Sequence, residues 1–259
     1  MKLPLYVVDA FTSQVFRGNP AAVCPLDSWL DEELMQNIAA ENNLAETAFV
    51  VRAGEGWRLR WFTPLVEVDL CGHATLATAF VLAKLDPSLH DFRFQTRSGE
   101  LRVTREDDRY TLDFPVRTLT ALAPSAELAA ALGCEVRQLT QAAQGAIAEL
   151  ASEDEVKRCQ PDFAALKALP WSAISITARG SDCDFVSRFF APKVGIDEDP
   201  VTGSAHCGLM PYWVEKLGRT QLSAKQLSRR GGELLCELRG ERVLMTGSAV
   251  LYSAGHILL

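Results

Sequence analysis

Two apolar segments decide the fold of this 259-residue chain: GHATLATAFVLAKL at residues 72–85 and GSAHCGLMPYWVEKL at residues 203–217. Both patterns predict helices, and neither has the polar face that a helix on a protein surface carries. Each helix is therefore expected at the centre of a core of its own. Pro211 lies inside the second segment, where it removes a backbone hydrogen bond and is expected to kink the helix.

The two segments also begin in similar ways, with DLCGHAT at residues 69–75 and DPVTGSA at residues 199–205. Short β-like runs precede and follow both of them. This pattern indicates a diverged duplication in which each half wraps strands around one central helix. The expected fold is α+β, with an N-terminal lobe at residues 1–117, a C-terminal lobe at residues 118–259, and room for a terminal strand that crosses over.

Local patterns outside these helices predict further elements. A helix is expected at residues 31–41, with Ser28 as its cap, because its apolar positions fall on one face. The Ala-rich stretch at residues 124–170 is also expected to be helical. Strands are expected at residues 5–10, 48–52, 59–62, 92–96, 101–104, 110–114, 174–177, 185–190, 234–238 and 243–251.

Composition and missing motifs exclude several function classes. The chain carries 26 basic and 33 acidic residues, and this net charge of −7 disfavours a nucleic-acid partner. No apolar run approaches the roughly 18 residues of a membrane helix, and the odd number of cysteines, seven, favours a reduced, cytoplasmic setting. Nucleotide-binding, acyl-hydrolase and zinc-protease motifs are absent.

The starts of the two central helices are candidate binding sites for a small carboxylate. A helix start offers free backbone N–H groups and a positive dipole end, and Gly72 and Gly203 would let a ligand approach them closely. Two such starts facing one cleft would bind a carboxylate well. The alternative is that both glycines belong to ordinary helix starts.

Glu46 is a candidate acid/base residue. It follows the predicted helix at residues 31–41 and directly precedes a predicted strand, among apolar neighbours in ENNLAETAFV (residues 41–50). Partial burial would raise its pKa toward the range of a general acid/base. A solvated loop residue is the alternative interpretation.

A metal site is a weaker possibility. Two cysteines and two histidines, Cys71, His73, His206 and Cys207, would provide two nitrogen and two sulfur ligands, but neither pair has the usual zinc spacing. The expectation is therefore that the protein has no metal site and no cofactor.

Four blocks of the sequence, in order along the chain, resemble the PhzF-like family of phenazine-biosynthesis-like isomerases, which share the diaminopimelate-epimerase fold. The blocks are DAFTSQVFRGNPAAVC (residues 9–24), ENNLAETAFV (41–50), RWFTPLVEVDLCGHATLATAFVL (60–82) and FFAPKVGIDEDPVTGSAHCGLMPYW (189–213). The resemblance implies two pseudo-symmetric lobes, each a curled, mostly antiparallel sheet around a central helix, with the active site between them. It also implies a homodimer without cofactors.

Site residues follow from the same resemblance. Glu46 would be the proton shuttle, His73 and Asp199 would assist, and the site would be lined by Gly72, Gly203 and Ser204. The implied reaction moves a proton between carbons of a small carboxylate-bearing metabolite, similar to the isomerisation of trans-2,3-dihydro-3-hydroxyanthranilate. The substrate itself is not indicated.

Two alternatives stay open. An amino-acid racemase or epimerase of the diaminopimelate-epimerase type would use two cysteines, one at each helix start. Cys71 resembles the first of these, but Asp199-Pro200-Val201 stands where the second would be. A non-catalytic ligand-binding protein is the other alternative, and the presence of Glu46, His73 and Asp199 disfavours it.

Overall fold

The structure, a computed structural model, describes residues 1–259 and contains seventeen strands and six α-helices. The strands are β1 (Lys2–Ala10), β2 (Asn19–Leu26), β3 (Glu46–Ala53), β4 (Gly56–Phe62), β5 (Glu67–Val68), β6 (Asp91–Thr96), β7 (Gly99–Glu106), β8 (Arg109–Pro115), β9 (Leu119–Leu122), β10 (Gln138–Ala142), β11 (Gly145–Glu149), β12 (Ile174–Arg179), β13 (Phe185–Ala191), β14 (Ile196–Asp199), β15 (Gln221–Gln226), β16 (Gly232–Arg239) and β17 (Arg242–Leu258). The helices are α1 (Glu32–Asn42), α2 (Gly72–Leu85), α3 (Ala126–Leu132), α4 (Glu153–Arg158), α5 (Phe163–Ala168) and α6 (Gly203–Leu217).

The chain divides into two units. Unit 1 contains Met1–Asp113 and Thr246–Leu259, and unit 2 contains Phe114–Met245. The sequence boundary at residues 117/118 assigns residues 246–259 to the second lobe. In the structure they pair with β1 in unit 1, because β17 runs antiparallel to β1 from Leu258 back to Ala249.

Unit 1 is a closed barrel around α2. Its strands pair in the order β1, β2, β3, β4, β6, β7, β8 and β17, and β17 returns to β1. Helix α2 contacts β1, β2, β3 and β7, and nearly all of its side chains are buried. An apolar helix with no polar face fits only such an enclosed position.

Unit 2 repeats this order of pairing. Strands β10, β11, β12, β13, β15 and β16 follow one another, β9 pairs with β10, and α6 is the central helix. In both units the third strand is parallel to the second and the fifth is parallel to the fourth, with a short strand, β5 or β14, added to the fourth. The α+β fold with two pseudo-symmetric lobes is confirmed.

Both central helices have the bounds that the sequence predicts, and α6 continues through Pro211. The prediction of Ser28 as the cap of α1 is wrong. Asp31 caps this helix, and its carboxylate accepts a hydrogen bond from the N–H of Glu33 at 2.9 Å. None of the helices is both long and apolar enough to cross a membrane.

The helical prediction for residues 124–170 is confirmed in part: α3, α4 and α5 lie within the stretch, but β10 and β11 lie between α3 and α4. Helix α6 packs closely on both strands. A Cβ added at Gly208 of α6 would lie 3.1 Å from the Cβ of Ala142 and 3.4 Å from Ile147. The missing side chain at Gly208 thus lets α6 lie close to Ala142 of β10 and Ile147 of β11.

Candidate active site

Glu46 is the first residue of β3 and is only 8% exposed. Helix α1 ends shortly before it at Asn42. The next residue, Asn43, adopts the left-handed conformation with φ of 49°. This tight turn leads the chain directly into β3, where Glu46 pairs with Ala21 of the buried strand β2. The solvated-loop interpretation of Glu46 is therefore wrong.

The His73 imidazole lies beside the Glu46 carboxylate. His73 is the second residue of α2 and is 4% exposed. Its Nε2 atom lies 3.1 Å from a carboxylate oxygen of Glu46. On the other side of the ring, Nδ1 lies 3.1 Å from the side-chain nitrogen of Asn19 and 3.5 Å from the sulfur of Cys71. The ring thus stands between a carboxylate on one side and a thiol and an amide on the other.

This environment sets the charge of each group. Burial by itself lowers the pKa of His73, but Cys71 and Glu46 outweigh burial and raise this pKa well above its usual value. Burial and the nearby Glu46 raise the pKa of the Cys71 thiol to about 11. These pKa directions favour a protonated Cys71 thiol and a protonated His73 ring at neutral pH.

The starts of the two central helices share one feature. Cys71 precedes α2 and Thr202 precedes α6, and neither side chain caps its helix. The other four α-helices all have a side-chain cap, which is Asp31, Ser125, Ser152 or Asp162. Without a side-chain cap, backbone N–H groups at the start of a helix are available to an anionic ligand.

At the start of α6, Asp199 belongs to a hydrogen-bonded cluster. Asp199 is the last residue of β14 and is 8% exposed, and the Thr202 hydroxyl donates to its carboxylate. The Gln226 amide donates to the Asp199 carbonyl at 2.8 Å and to the Thr202 hydroxyl at 3.1 Å. It accepts from the Thr202 N–H at 2.8 Å. The Thr202 hydroxyl oxygen thus accepts from the Gln226 amide, and the hydroxyl hydrogen is donated to the Asp199 carboxylate. Gly203, the first residue of α6, is buried, and Ser204 beside it is half-buried.

His206 and Cys207, the other two candidate metal ligands, contact backbone carbonyl groups of their own helix region. The Nδ1 atom of His206 lies 2.8 Å from the Thr202 carbonyl oxygen, to which it donates when the ring is neutral, and its Nε2 atom has no hydrogen-bond partner. Burial lowers the pKa of His206 to about 4, so the ring is neutral at pH 7. The thiol of Cys207 lies toward the Gly203 carbonyl oxygen. The titratable residues that come together are instead Glu46, Cys71 and His73, whose ligand atoms all lie within 4.8 Å of one another.

Sequence reasoning assigned no role to three residues of these clusters, Asn19, Thr202 and Gln226. Asn19 lies in the block at residues 9–24, but nothing local separates it from an ordinary turn residue. Gln226 comes from β15, which the sequence did not predict. Asn19 and Thr202 lie in quoted blocks that carry no signal for their roles, whereas Gln226 lies in no predicted element.

The first unit thus holds a buried carboxylate beside an imidazole at an uncapped helix start. A positioned carboxylate of this kind can take a proton from a bound molecule and return it, which is general acid/base chemistry.

Comparisons with known proteins identify the family of this chain. The profile of the family described as phenazine biosynthesis-like protein matches residues 8–255. An uncharacterized isomerase of Pseudomonas aeruginosa is 55% identical over 260 residues, which cover all of both chains. The crystal structure of a phenazine biosynthesis protein of the PhzF family from Enterococcus faecalis superposes with a TM-score of 0.98 at 48% identity, with full coverage of both chains.

A more distant structure shows how widely the fold extends. The structure of a predicted epimerase from Pseudomonas aeruginosa has a TM-score of 0.78 at 20% identity and covers 99% of both chains. At that identity the similarity concerns the fold alone. The full-length match to the family profile and to close relatives decides the family: this chain belongs to the phenazine biosynthesis-like family and is an isomerase.

Proposed function

We propose that this isomerase works without a cofactor and that Glu46 moves a proton between two carbons of a small carboxylate-bearing metabolite. The implied reaction is similar to the isomerisation of trans-2,3-dihydro-3-hydroxyanthranilate that the family resemblance suggests. The observation that carries the proposal is the buried Glu46–His73 pair, with 3.1 Å between Nε2 and the carboxylate.

The proposed step is a proton shuttle on one face of the substrate. The Glu46 carboxylate takes a proton from a carbon whose anion is stabilised by the adjacent unsaturated system, and the electron pair moves along that system. The carboxylic acid then returns the same proton to another carbon. His73, protonated through its contact with Glu46, stabilises the carboxylate before the transfer and after it, so the protein ends the cycle unchanged.

Substrate binding is assigned to the helix starts. Under this proposal the N–H groups at Gly72 and at Gly203–Ser204 bind the substrate carboxylate, and Asp199 assists by hydrogen bonding. The support is that neither helix has a side-chain cap and that the Asp199 carboxylate is held by Thr202. Cys71 takes no part in the proton transfer.

A two-base racemase remains the second candidate because Cys71 lies 3.5 Å from the His73 ring. A racemase needs a base on each face of the carbon, and the second helix start has Asp199-Pro200-Val201 where a second cysteine would stand. A thiol with a pKa of about 11 is also poorly suited to act as a base at neutral pH. These observations favour the single-carboxylate isomerase over a racemase, and a buried acid/base pair favours either over a non-catalytic binding protein.

Glu46→Gln tests the proposal, with Glu41→Gln as the matched control on an exposed position of α1. The assay follows conversion of trans-2,3-dihydro-3-hydroxyanthranilate, and of close carboxylate analogues, in D₂O by NMR. Glutamine has the shape of glutamate but cannot shuttle a proton, so Glu46→Gln should lose conversion while Glu41→Gln keeps it. Conversion by Glu46→Gln at more than a tenth of the wild-type rate would contradict the proposal. The homodimer and the cytoplasmic location stay predictions, and sedimentation analysis tests the first.

A further inference from the structure

We propose that Glu46, Cys71 and His73 together bind a divalent cation of the zinc type, and that this cation reversibly inhibits the enzyme. The inhibitory consequence rests on the proposed role of Glu46. The binding itself rests only on the three side chains. The cation is an inhibitor here and not a cofactor.

The three residues provide a suitable set of donors. A thiolate, an imidazole and a carboxylate are the usual protein ligands of Zn²⁺, and three protein ligands with one open position are typical of accessible zinc sites. The ligand atoms lie within 4.8 Å of one another, and all three residues are more than 90% buried. Such a set can surround one ion and leave its fourth position to water.

The distance between Cys71 and His73 fits a shared ion. Zinc bonds of about 2.3 Å to sulfur and about 2.0–2.1 Å to nitrogen at a tetrahedral angle place the two ligand atoms roughly 3.5 Å apart. The sulfur of Cys71 and Nδ1 of His73 are separated by 3.5 Å. An ion between them requires the side chain of Glu46, now beside Nε2, to rotate toward it.

Two polar atoms at this place have unused bonding capacity. The Glu46 oxygen and His73 Nε2 face each other at 3.1 Å, yet neither makes a hydrogen bond of good geometry with any group. Buried polar atoms of this kind ordinarily have partners. A cation would give the carboxylate such a partner. The thiol proton of Cys71 and the Nδ1 proton of the His73 imidazolium would both pass to solvent when the metal–sulfur and metal–nitrogen bonds form.

Bound metal would stop the proposed reaction directly. A carboxylate oxygen that coordinates a cation no longer offers that lone pair to a substrate proton. We therefore expect Zn²⁺ to abolish conversion and a chelator to restore it.

The test begins with metal-free full-length protein titrated with Co²⁺, which substitutes for Zn²⁺ and reports sulfur ligation by its thiolate-to-metal absorption. Wild type should show this band at one equivalent, and added Zn²⁺ should remove it. Cys71→Ser should lose the band and bind Zn²⁺ at least about tenfold more weakly, since even changes around metal ligands cost 10–100-fold in affinity. Cys24→Ala is the matched control, because Cys24 is another buried thiol of unit 1 that is outside the cluster.

Activity gives an independent readout. Cys71→Ser should keep most of the conversion measured without metal but become at least about tenfold less sensitive to Zn²⁺. Absence of the cobalt band in wild type, or equal Zn²⁺ affinity in wild type and Cys71→Ser, would overturn the metal site. Should Cys71→Ser not fold, Cys71→Ala takes its place. An active Glu46→Gln variant would refute the proposed function of Glu46. The cobalt titration would still decide separately whether the three side chains bind a metal.

Discussion

Helices α2 and α6 occupy equivalent places in two units that share one order of strand pairing, yet their first turns carry different chemistry. At α2, His73 stands beside the Glu46 carboxylate and the Cys71 thiol. At α6, the polar side chains of Thr202 and Gln226 hold Asp199 by hydrogen bonds. The two units thus share the scaffold and the uncapped helix start, while a histidine–carboxylate pair stands at the first turn of α2 only.

The buried histidines of the two helices show the same contrast. Cys71 and Glu46 raise the pKa of His73 against the effect of burial, whereas burial lowers the pKa of His206 to about 4. His73 therefore contributes stability that is complete below its ordinary pKa and is lost as the pH rises through its raised value. His206 has the opposite effect. Its ring is neutral when buried, so the stability it contributes is complete above its ordinary pKa and is lost as the pH falls through its lowered value.

The largest expected effect separates the two helix starts. Glu46→Gln should lower the rate of conversion by about 10²–10⁴-fold or more, since one group performs both proton transfers. Asp199→Asn should cost about 10–100-fold, the loss expected for a hydrogen bond that involves a charged group. Steady-state kinetics of both variants measure the difference. Equal losses would mean that the two starts share the acid/base chemistry.

Acid should destabilise the protein through His206. Its pKa is about 4 in the folded protein and about 6.5 when unfolded, so the free energy of unfolding should fall by about 3 kcal/mol as the pH drops through this interval. Urea denaturation between pH 7 and pH 4 measures this slope. In His206→Gln the fall in unfolding free energy between pH 7 and pH 4 should be smaller by about 3 kcal/mol, and an unchanged fall would exclude His206 as its source.

Removal of the Gln226 amide should destabilise the start of α6. Gln226→Leu leaves the Thr202 N–H and the Asp199 carbonyl without this partner, which costs about 1–3 kcal/mol of unfolding free energy. Urea denaturation at pH 7 measures the change. The control is Gln95→Leu on β6, where the amide lies at the surface and bonds only the exposed Glu100. Equal stability of Gln226→Leu and wild type would show that the cluster has no structural role.

The smallest effect is expected at Cys71. Cys71→Ser should change the rate of conversion by less than about tenfold, because the thiol is outside the proposed proton path. Alkylation of the wild-type protein followed by the same assay gives a second measurement. An inactive Cys71→Ser variant together with an active Glu46→Gln variant would favour the two-base racemase. In that case the thiol, and not the carboxylate, would be required for activity.

Elements whose signal lies in neighbouring residues could be predicted from the sequence, whereas contacts between distant residues could not. Helices α2 and α6 were predictable to the residue, because an apolar segment with a glycine start has few other structures open to it. Strand β2 was missed since Pro20 and Pro25 interrupt its pattern, although it is buried between β1 and β3. Glu46 and His73 were candidates from their blocks, but their 3.1 Å contact joins β3 to α2 and has no local trace.

The most direct test of the contrast is an NMR titration of the imidazole signals in metal-free protein. The chain has four histidines, so each signal can be assigned by substitution. His73 should stay protonated well above pH 6.5, and its pKa should fall in Glu46→Gln, where Cys71 alone still raises it, while His206 should stay neutral down to about pH 4 in both proteins. Titration of His73 at or below its ordinary value in the wild type, or no change in Glu46→Gln, would contradict the assignment of a charged acid/base pair to the start of α2.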